Sequence, residues 1–355
     1  MQGSQGYEVI SINEKIYTII WYLGGDWKFL STVCGLDSAS AEYACIWCKC
    51  PKDKRFDMAV QWSMSDLNKG ARTIQEISEK AKLPRRSTIR FNCSETPIFP
   101  FIPIQRVIID HLHLFLRISD VLINLLIRDL QVADGIHKST STLPNKSKGR
   151  YMVTYRDFLN GPCKIQFNWF IDKESKRLQF RDLTGPEKIR LFENINIPKL
   201  FPVLSTKNEL QGIWKEFYSL IQQLGKSECD DINKFEKSVK CWVTKFIGVY
   251  QTKDVTPYIH AFAMHVPEFL RLHGNISLFT QQGLEKINDF TTKYYQRSSN
   301  HHDTESLKQV LQKHNRLELL EYQGFQRIKQ MQKCSVCKSV GHNKRRCPNV
   351  IMENP

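Results

Sequence analysis

The sequence predicts an α+β chain that is mostly α, and three observations carry that prediction. The stretch RVIIDHLHLFLRISDVLINLLIRDL, from Arg106, is apolar at helical spacing. Segments 205–225 and 229–250 repeat the same period, with Trp214, Phe217, Leu220 and Ile221 on one face. The β signals, by contrast, are short and few.

Taken in order, EKIYTIIWYLGGDWKFL is β-branched and aromatic and stops at Gly24-Gly25, which predicts a strand over Lys15–Leu23 with Asp26 just past its end. SETPIFPFIPIQ (94–105) holds three prolines and is an extended connector. The apolar helix follows. It is long enough to span a bilayer, but Asp110, Arg117, Asp120, Arg128 and Asp129 would each be costly in lipid, so it belongs in a protein core. HKSTSTLPNKSKGR (137–150) has loop composition. CKIQFNWFI alternates Ile165, Phe167, Trp169 and Ile171, and KRLQFRDL answers it across DKES as a hairpin. Thr184, Pro186 and Glu187 then carry the signature of a capped helix start.

An apolar content of 41 % over 355 residues is enough for real cores. No secretory signal is evident, so the 11 cysteines are expected to be reduced, and clustered ones are better used for metal than for disulfides. The net charge of +15 fits a polyanionic partner, most often nucleic acid. Residues 307–355 hold ten Lys/Arg against three Asp/Glu, close to half of that excess.

Two cysteine patterns point to zinc. In EYACIWCKCP, Cys45 and Cys48 have the spacing of half a tetrahedral site, with Cys50 as the nearest competitor. Candidate partners are His260 and His265 in YIHAFAMHVPEFL. On an unbroken helix, steps of ~100° would set those two roughly 140° apart. Both reach one metal only at a helix end or bend, which the flanking Pro257 and Pro267 could supply. The second pattern, CSVCKSVGHNKRRCP, places Cys334, Cys337, His342 and Cys347 at C-x2-C-x4-H-x4-C, the zinc-knuckle spacing. So small a loop has no core, and metal supplies its folding energy. Lys333, Lys338, Lys344, Arg345 and Arg346 are placed to reach phosphates. Ser335 and Val336 stand where retroviral-type knuckles carry a stacking aromatic, which argues against stacking on a single strand. A redox reading of CIWC would need a helix start after a strand, which the surrounding sequence does not provide.

YIHAFAMHVPEFLRLHGNISLFTQQGLEKINDF and GGDWKFLSTVCGLDSASAEYACIWC resemble the catalytic core of the V(D)J recombinase and its relatives among the Transib-type cut-and-paste transposases. IDHLHLFLRISDVL between them matches more loosely. The resemblance implies a partial RNase H-like core interrupted by a large helical insertion clamped by zinc, followed by a small knuckle. Residues 1–35 would be a remnant of the sheet, 36–268 the insertion, 269–303 the final catalytic-type helix, 304–332 a basic helical linker and 333–349 the knuckle. It also implies that Cys45, Cys48, His260 and His265 bind one structural Zn2+, the knuckle binding a second. Asp26 and Glu285, the latter supported by Asn288, would be the second and third carboxylates holding Mg2+ or Mn2+.

The family's first carboxylate has no counterpart here. Glu8 and Glu14 lie outside its Asp-Gly strand context, so the expectation is a two-metal phosphoryl-transfer core that is incomplete and does not cut DNA alone. The partner implied is duplex DNA, the terminal repeats of a mobile element, with no membrane and with room for a homodimer. A nuclear location follows from that role. The alternative is a non-enzymatic zinc-knuckle nucleic-acid-binding protein derived from a transposable element.

Overall fold

The computed structural model describes residues 7–136, 142–225, 231–299, 303–324 and 336–337. They belong to two compact units, residues 1–281 and 282–355. Helices dominate both, and the described strands are short.

The first unit opens with an antiparallel hairpin of β1 (Tyr7–Ile12) and β2 (Lys15–Ile20), Tyr7 opposite Ile20 and Ile12 opposite Lys15. Asn13 and Glu14 both take positive φ, 50° and 64°, which matches the turn to the twist of the strands. The strand expected over Lys15–Leu23 is therefore broken. β2 stops at Ile20, and β3 (Leu23–Gly25) pairs in parallel with β4 (Val107–Ile109), Gly25 beside Ile109. Asp26 then caps α1 (Trp27–Val33), its carboxylate accepting the Phe29 N–H at 2.7 Å. A Cβ at Gly25 would collide with the Phe29 ring, so a larger residue there requires that exposed ring to move.

Residues 34–105 are loops and single turns around one α-helix, α2 (Ile74–Ala81), capped by Thr73. The helical core begins at α3 (His111–Ala133) and continues through α4 (Arg150–Asn160). The expected hairpin follows as β5 (Trp169–Ile171) and β6 (Leu178–Phe180). Next is α5 (Gly185–Asn194), where Glu187 accepts the Thr184 N–H at 2.9 Å and completes the capping box. The chain runs on through α6 (Ile197–Leu200), α7 (Lys207–Leu224), α8 (Ile232–Val249), α9 (Pro257–Met264) and α10 (Val266–His273).

α3 packs against α4, α5, α7 and α9, and α8 against α7, α9 and α10. Apolar spacing decides which faces meet: Trp214, Phe217, Leu220 and Ile221 of α7 are all buried. Phe217 and Trp242 lie 5.5 Å apart between α7 and α8, and the Trp242 indole N–H donates to the Ile213 carbonyl at 2.9 Å. The charges on α3 have partners rather than lipid: Asp120 meets the buried Lys188 at 2.6 Å, and Arg128 meets Asp254 at 3.4 Å. Among the described residues, no helix is long and apolar enough to cross a membrane.

In the second unit, α11 (Gln282–Ser298) packs against α12 (Asp303–Tyr322).

Candidate metal centre

Cys45 and Cys48 sit in an irregular loop, not at a helix start, so the structure offers no redox-type dithiol context for them. Cys45, Ile46, Trp47, Cys48 and Cys50 are all fully buried. Three contacts fix the loop. The Trp47 indole N–H donates to the Val107 carbonyl at 2.7 Å, Cys48 bridges to Ala71, and the Arg72 N–H donates to the Trp47 carbonyl at 2.9 Å. The Arg72 side chain, itself buried, donates to the carbonyls of Cys45 (3.0 Å), Cys48 (3.1 Å), Tyr43 (2.8 Å) and Phe91 (2.9 Å). A guanidinium suits that role because its donors form a rigid fork.

The two histidines arrive from the other end of the unit. α9 stops at Met264 and α10 starts at Val266, so His265 is the joint between them. Pro267, early in α10, lacks the N–H that would continue the ladder of α9. The bend cancels the angular separation that an unbroken helix would impose. The His260 and His265 rings lie 5.2 Å apart, both fully buried.

Cys45 Sγ is 3.3 Å from His265 Nε2, and Cys48 Sγ is 3.3 Å from His260 Nε2. The four ligand atoms all lie within 4.8 Å of one another. Tetrahedral bonds of ~2.3 Å to sulfur and ~2.0 Å to nitrogen place neighbouring ligand atoms about 3.3–3.8 Å apart, so little movement would be needed to close on an ion. Two soft thiolates with two imidazoles are also the donor set that zinc takes. Four polar side chains sealed from solvent, meeting chiefly one another, fit a metal better than an apolar core. This Cys/His group can hold a metal ion such as zinc.

The electrostatics agree. Burial works against ionising Cys45, but a hydrogen bond from Cys48 and the charge on His265 outweigh it and hold this thiol well below its ordinary value. Burial and the neighbouring Cys45 push Cys48 well above. His265 is raised to about 9: burial lowers it, while the Cys45 sulfur and Glu268 raise it by more. Its Nδ1 donates to Glu268 Oε2 at 3.1 Å, which turns Nε2 toward the sulfurs. Burial lowers His260. Cys50, also buried, is pushed up by its burial and keeps its Sγ 3.5 Å from the Pro51 carbonyl.

The carboxylates are placed differently. Asp26 follows the last residue of β3, with its side chain engaged as the cap of α1. Glu285 is exposed in the first turn of α11, with Asn288 one turn on. The two belong to different units. Of the knuckle, Cys337 lies in a turn, half-buried. Cys334, His342 and Cys347, with Lys333, Lys338, Lys344, Arg345 and Arg346, lie outside the described residues.

Sequence reasoning passed over three residues around these sites. Arg72 and Glu268 brace the Cys/His group. Asp110 leaves β4 beside Asp26 and accepts from His113 Nδ1 at 2.6 Å, Leu112 N at 3.2 Å and Gln281 N at 3.3 Å. Glu268 had a signal, since His and Glu at i, i+3 share a helix face. Arg72, alone in an irregular stretch, had none. A scan against protein-family models and a search of curated proteins each return no match to this chain.

Proposed function

We propose that this chain is a DNA-binding, zinc-binding protein of the cut-and-paste transposase or recombinase type, with two structural Zn2+ ions. The observation that carries the reading is the convergence of Cys45 and Cys48 with His260 and His265, more than two hundred residues away in the chain. Zinc there would clamp the CIWC loop to the α9–α10 joint, a closed four-ligand role with no open position for catalysis. The parallel β3–β4 pair with Asp26 at its end supports an RNase H-like placement of that carboxylate. The basic carboxy-terminal segment supports a duplex-DNA partner, for which the terminal repeats of a mobile element are the family's model.

In this reading Asp26 and Glu285 would take Mg2+ or Mn2+ only within a core that also supplies a first carboxylate, so binding without cleavage is expected of the chain alone. A nuclear location and a homodimer belong to the same proposal. A second reading, a non-enzymatic nucleic-acid-binding protein, draws on Asp26 being occupied as a helix cap.

Metal analysis of the purified chain tests the proposal. Wild type should hold two zincs, and His260→Ala/His265→Ala one. One zinc in both would remove the buried site and, with it, the support for Asp26 and Glu285. Supplying a segment that carries the family's first carboxylate in trans separates the two readings: cleavage abolished by Glu285→Gln belongs to the first, DNA binding without cleavage to the second.

A further inference from the structure

Glu268 makes three contacts beside the Cys/His group. Its Oε2 accepts from His265 Nδ1 at 3.1 Å and from the Met64 N–H at 2.9 Å, and its Oε1 accepts from the Ser63 hydroxyl at 2.5 Å. Ser63 Oγ in turn accepts the N–H groups of Ser65 and Asp66 at 3.0 Å each, which closes the turn. The Met64 carbonyl is taken by Gln105 Nε2 at 3.0 Å. One side chain therefore joins a histidine on the α9–α10 joint to a turn two hundred residues earlier, and through it to the segment leading into β4.

A carboxylate only accepts hydrogen bonds. The proton of a neutral His265 must then sit on Nδ1, leaving the Nε2 lone pair toward Cys45. His260 has no such brace: its Nδ1 is buried without a hydrogen-bond partner. The two imidazoles are held unequally, and only His265 is tied to distant backbone.

We propose that Glu268 is a positioning residue for the metal centre, fixing the tautomer and ring orientation of His265 through a strut anchored on the Ser63–Asp66 turn. This rests on the zinc reading of the cluster. Outer-shell partners of ligating histidines are worth 10–100-fold in metal affinity, because an unbraced ring must be ordered by the metal itself.

The test uses the full chain carrying Cys334→Ser/Cys337→Ser, so that the buried cluster is the remaining site. Zn2+ affinity is measured by competition with a chromophoric chelator, and the coordination by the visible absorption of bound Co2+. Glu268→Ala should weaken Zn2+ binding by 10–100-fold. Glu268→Gln keeps an oxygen that accepts from Nδ1–H, and should recover most of the affinity with a wild-type Co2+ spectrum. Ser63→Ala removes the hydroxyl anchor but leaves the Met64 N–H and the histidine contact, and should fall between. Binding by Glu268→Ala within twofold of its parent would overturn the proposal, as would equal losses in the Ala and Gln variants. Should Glu268→Ala not fold, the Gln and Ser63 variants decide alone: the strut predicts the larger loss in Ser63→Ala, and the reverse order rejects it. If the parent itself takes no metal, the zinc reading fails with it, and that failure is visible before any Glu268 variant is made.

Discussion

Asp129 shows what a single half-buried charge costs this helical core. Burial raises its carboxyl to about 6, Arg128 pulling it down and Asp254 adding to the rise. A carboxyl whose folded value exceeds its unfolded one is penalised once it ionises. Between about pH 4 and 6 the unfolded chain gives up the proton while the folded chain keeps it, so stability falls with rising pH across that window and stays reduced above it. Asp129→Asn should therefore raise stability at pH 7 by on the order of 1–2 kcal/mol and flatten that stretch of the pH profile. Urea titrations of both proteins at pH 4, 5, 6 and 7 check it, and a variant less stable at pH 7 would show that the Arg128 contact outweighs the burial. Trp47 supplies a reporter at the same scale. Its ring lies 5.6 Å from the His265 ring and 5.5 Å from Trp27, wholly buried. Stripping metal from the Cys/His group with a chelator should shift tryptophan emission toward the red, and His260→Ala/His265→Ala should show the shifted emission without chelator.

At the scale of elements, the sequence was legible wherever one local period or cap decided the outcome. The β5–β6 hairpin, the Thr184 capping box, and the helical periods of α7 and α8 are all local signals. The Lys15–Leu23 strand was misjudged at one point because pairing is not local: β2 turns back on Tyr7–Ile12 through Asn13-Glu14, a turn without glycine, while β3 finds its partner beyond residue 106. The Cys/His group was half legible. Spacing identified the cysteines, and the prolines marked the bend that lets His265 join His260. Arg72 acts through four backbone carbonyls and the Cys93 sulfur, all brought together by the fold, which no spacing encodes.

Asp110 is the elementwise counterpart. It caps α3 and holds His113, and burial, which alone would raise its carboxyl, is outweighed by those hydrogen bonds, leaving it below its ordinary value. Asp110→Ala would strand several buried donors and remove a cap, and should cost about 2–4 kcal/mol in urea unfolding. Asp110→Asn, which can still cap, should lose clearly less. Equal losses in the two variants would mean that the cap contributes little and that the charge of the Asp110 carboxylate decides.

Across the whole molecule the decisive quantity is where charge sits relative to the packed core. The helical core neutralises its own charges in pairs such as Lys188–Asp120 and Arg128–Asp254, so those contribute little to any field outside. Residues 307–355 carry a net excess instead, with ten Lys/Arg against three Asp/Glu. A partner held by that segment is held through released counterions, and the logarithm of its affinity falls linearly with the logarithm of salt, with a slope near −0.9 for each phosphate neutralised on duplex DNA. Replacing Lys333, Lys338, Lys344, Arg345 and Arg346 together by glutamine should lower the magnitude of that slope by up to about 4–5. The loss should be alike on unrelated duplex sequences, because phosphates carry no sequence information. Fluorescence anisotropy with two unrelated duplexes between 50 and 200 mM salt, values chosen to span the range in which such slopes are steep, measures both. An unchanged slope would move the DNA-binding surface into the helical units. A loss confined to one duplex would mean that these five residues read bases, and that the segment recognises a sequence as well as a backbone.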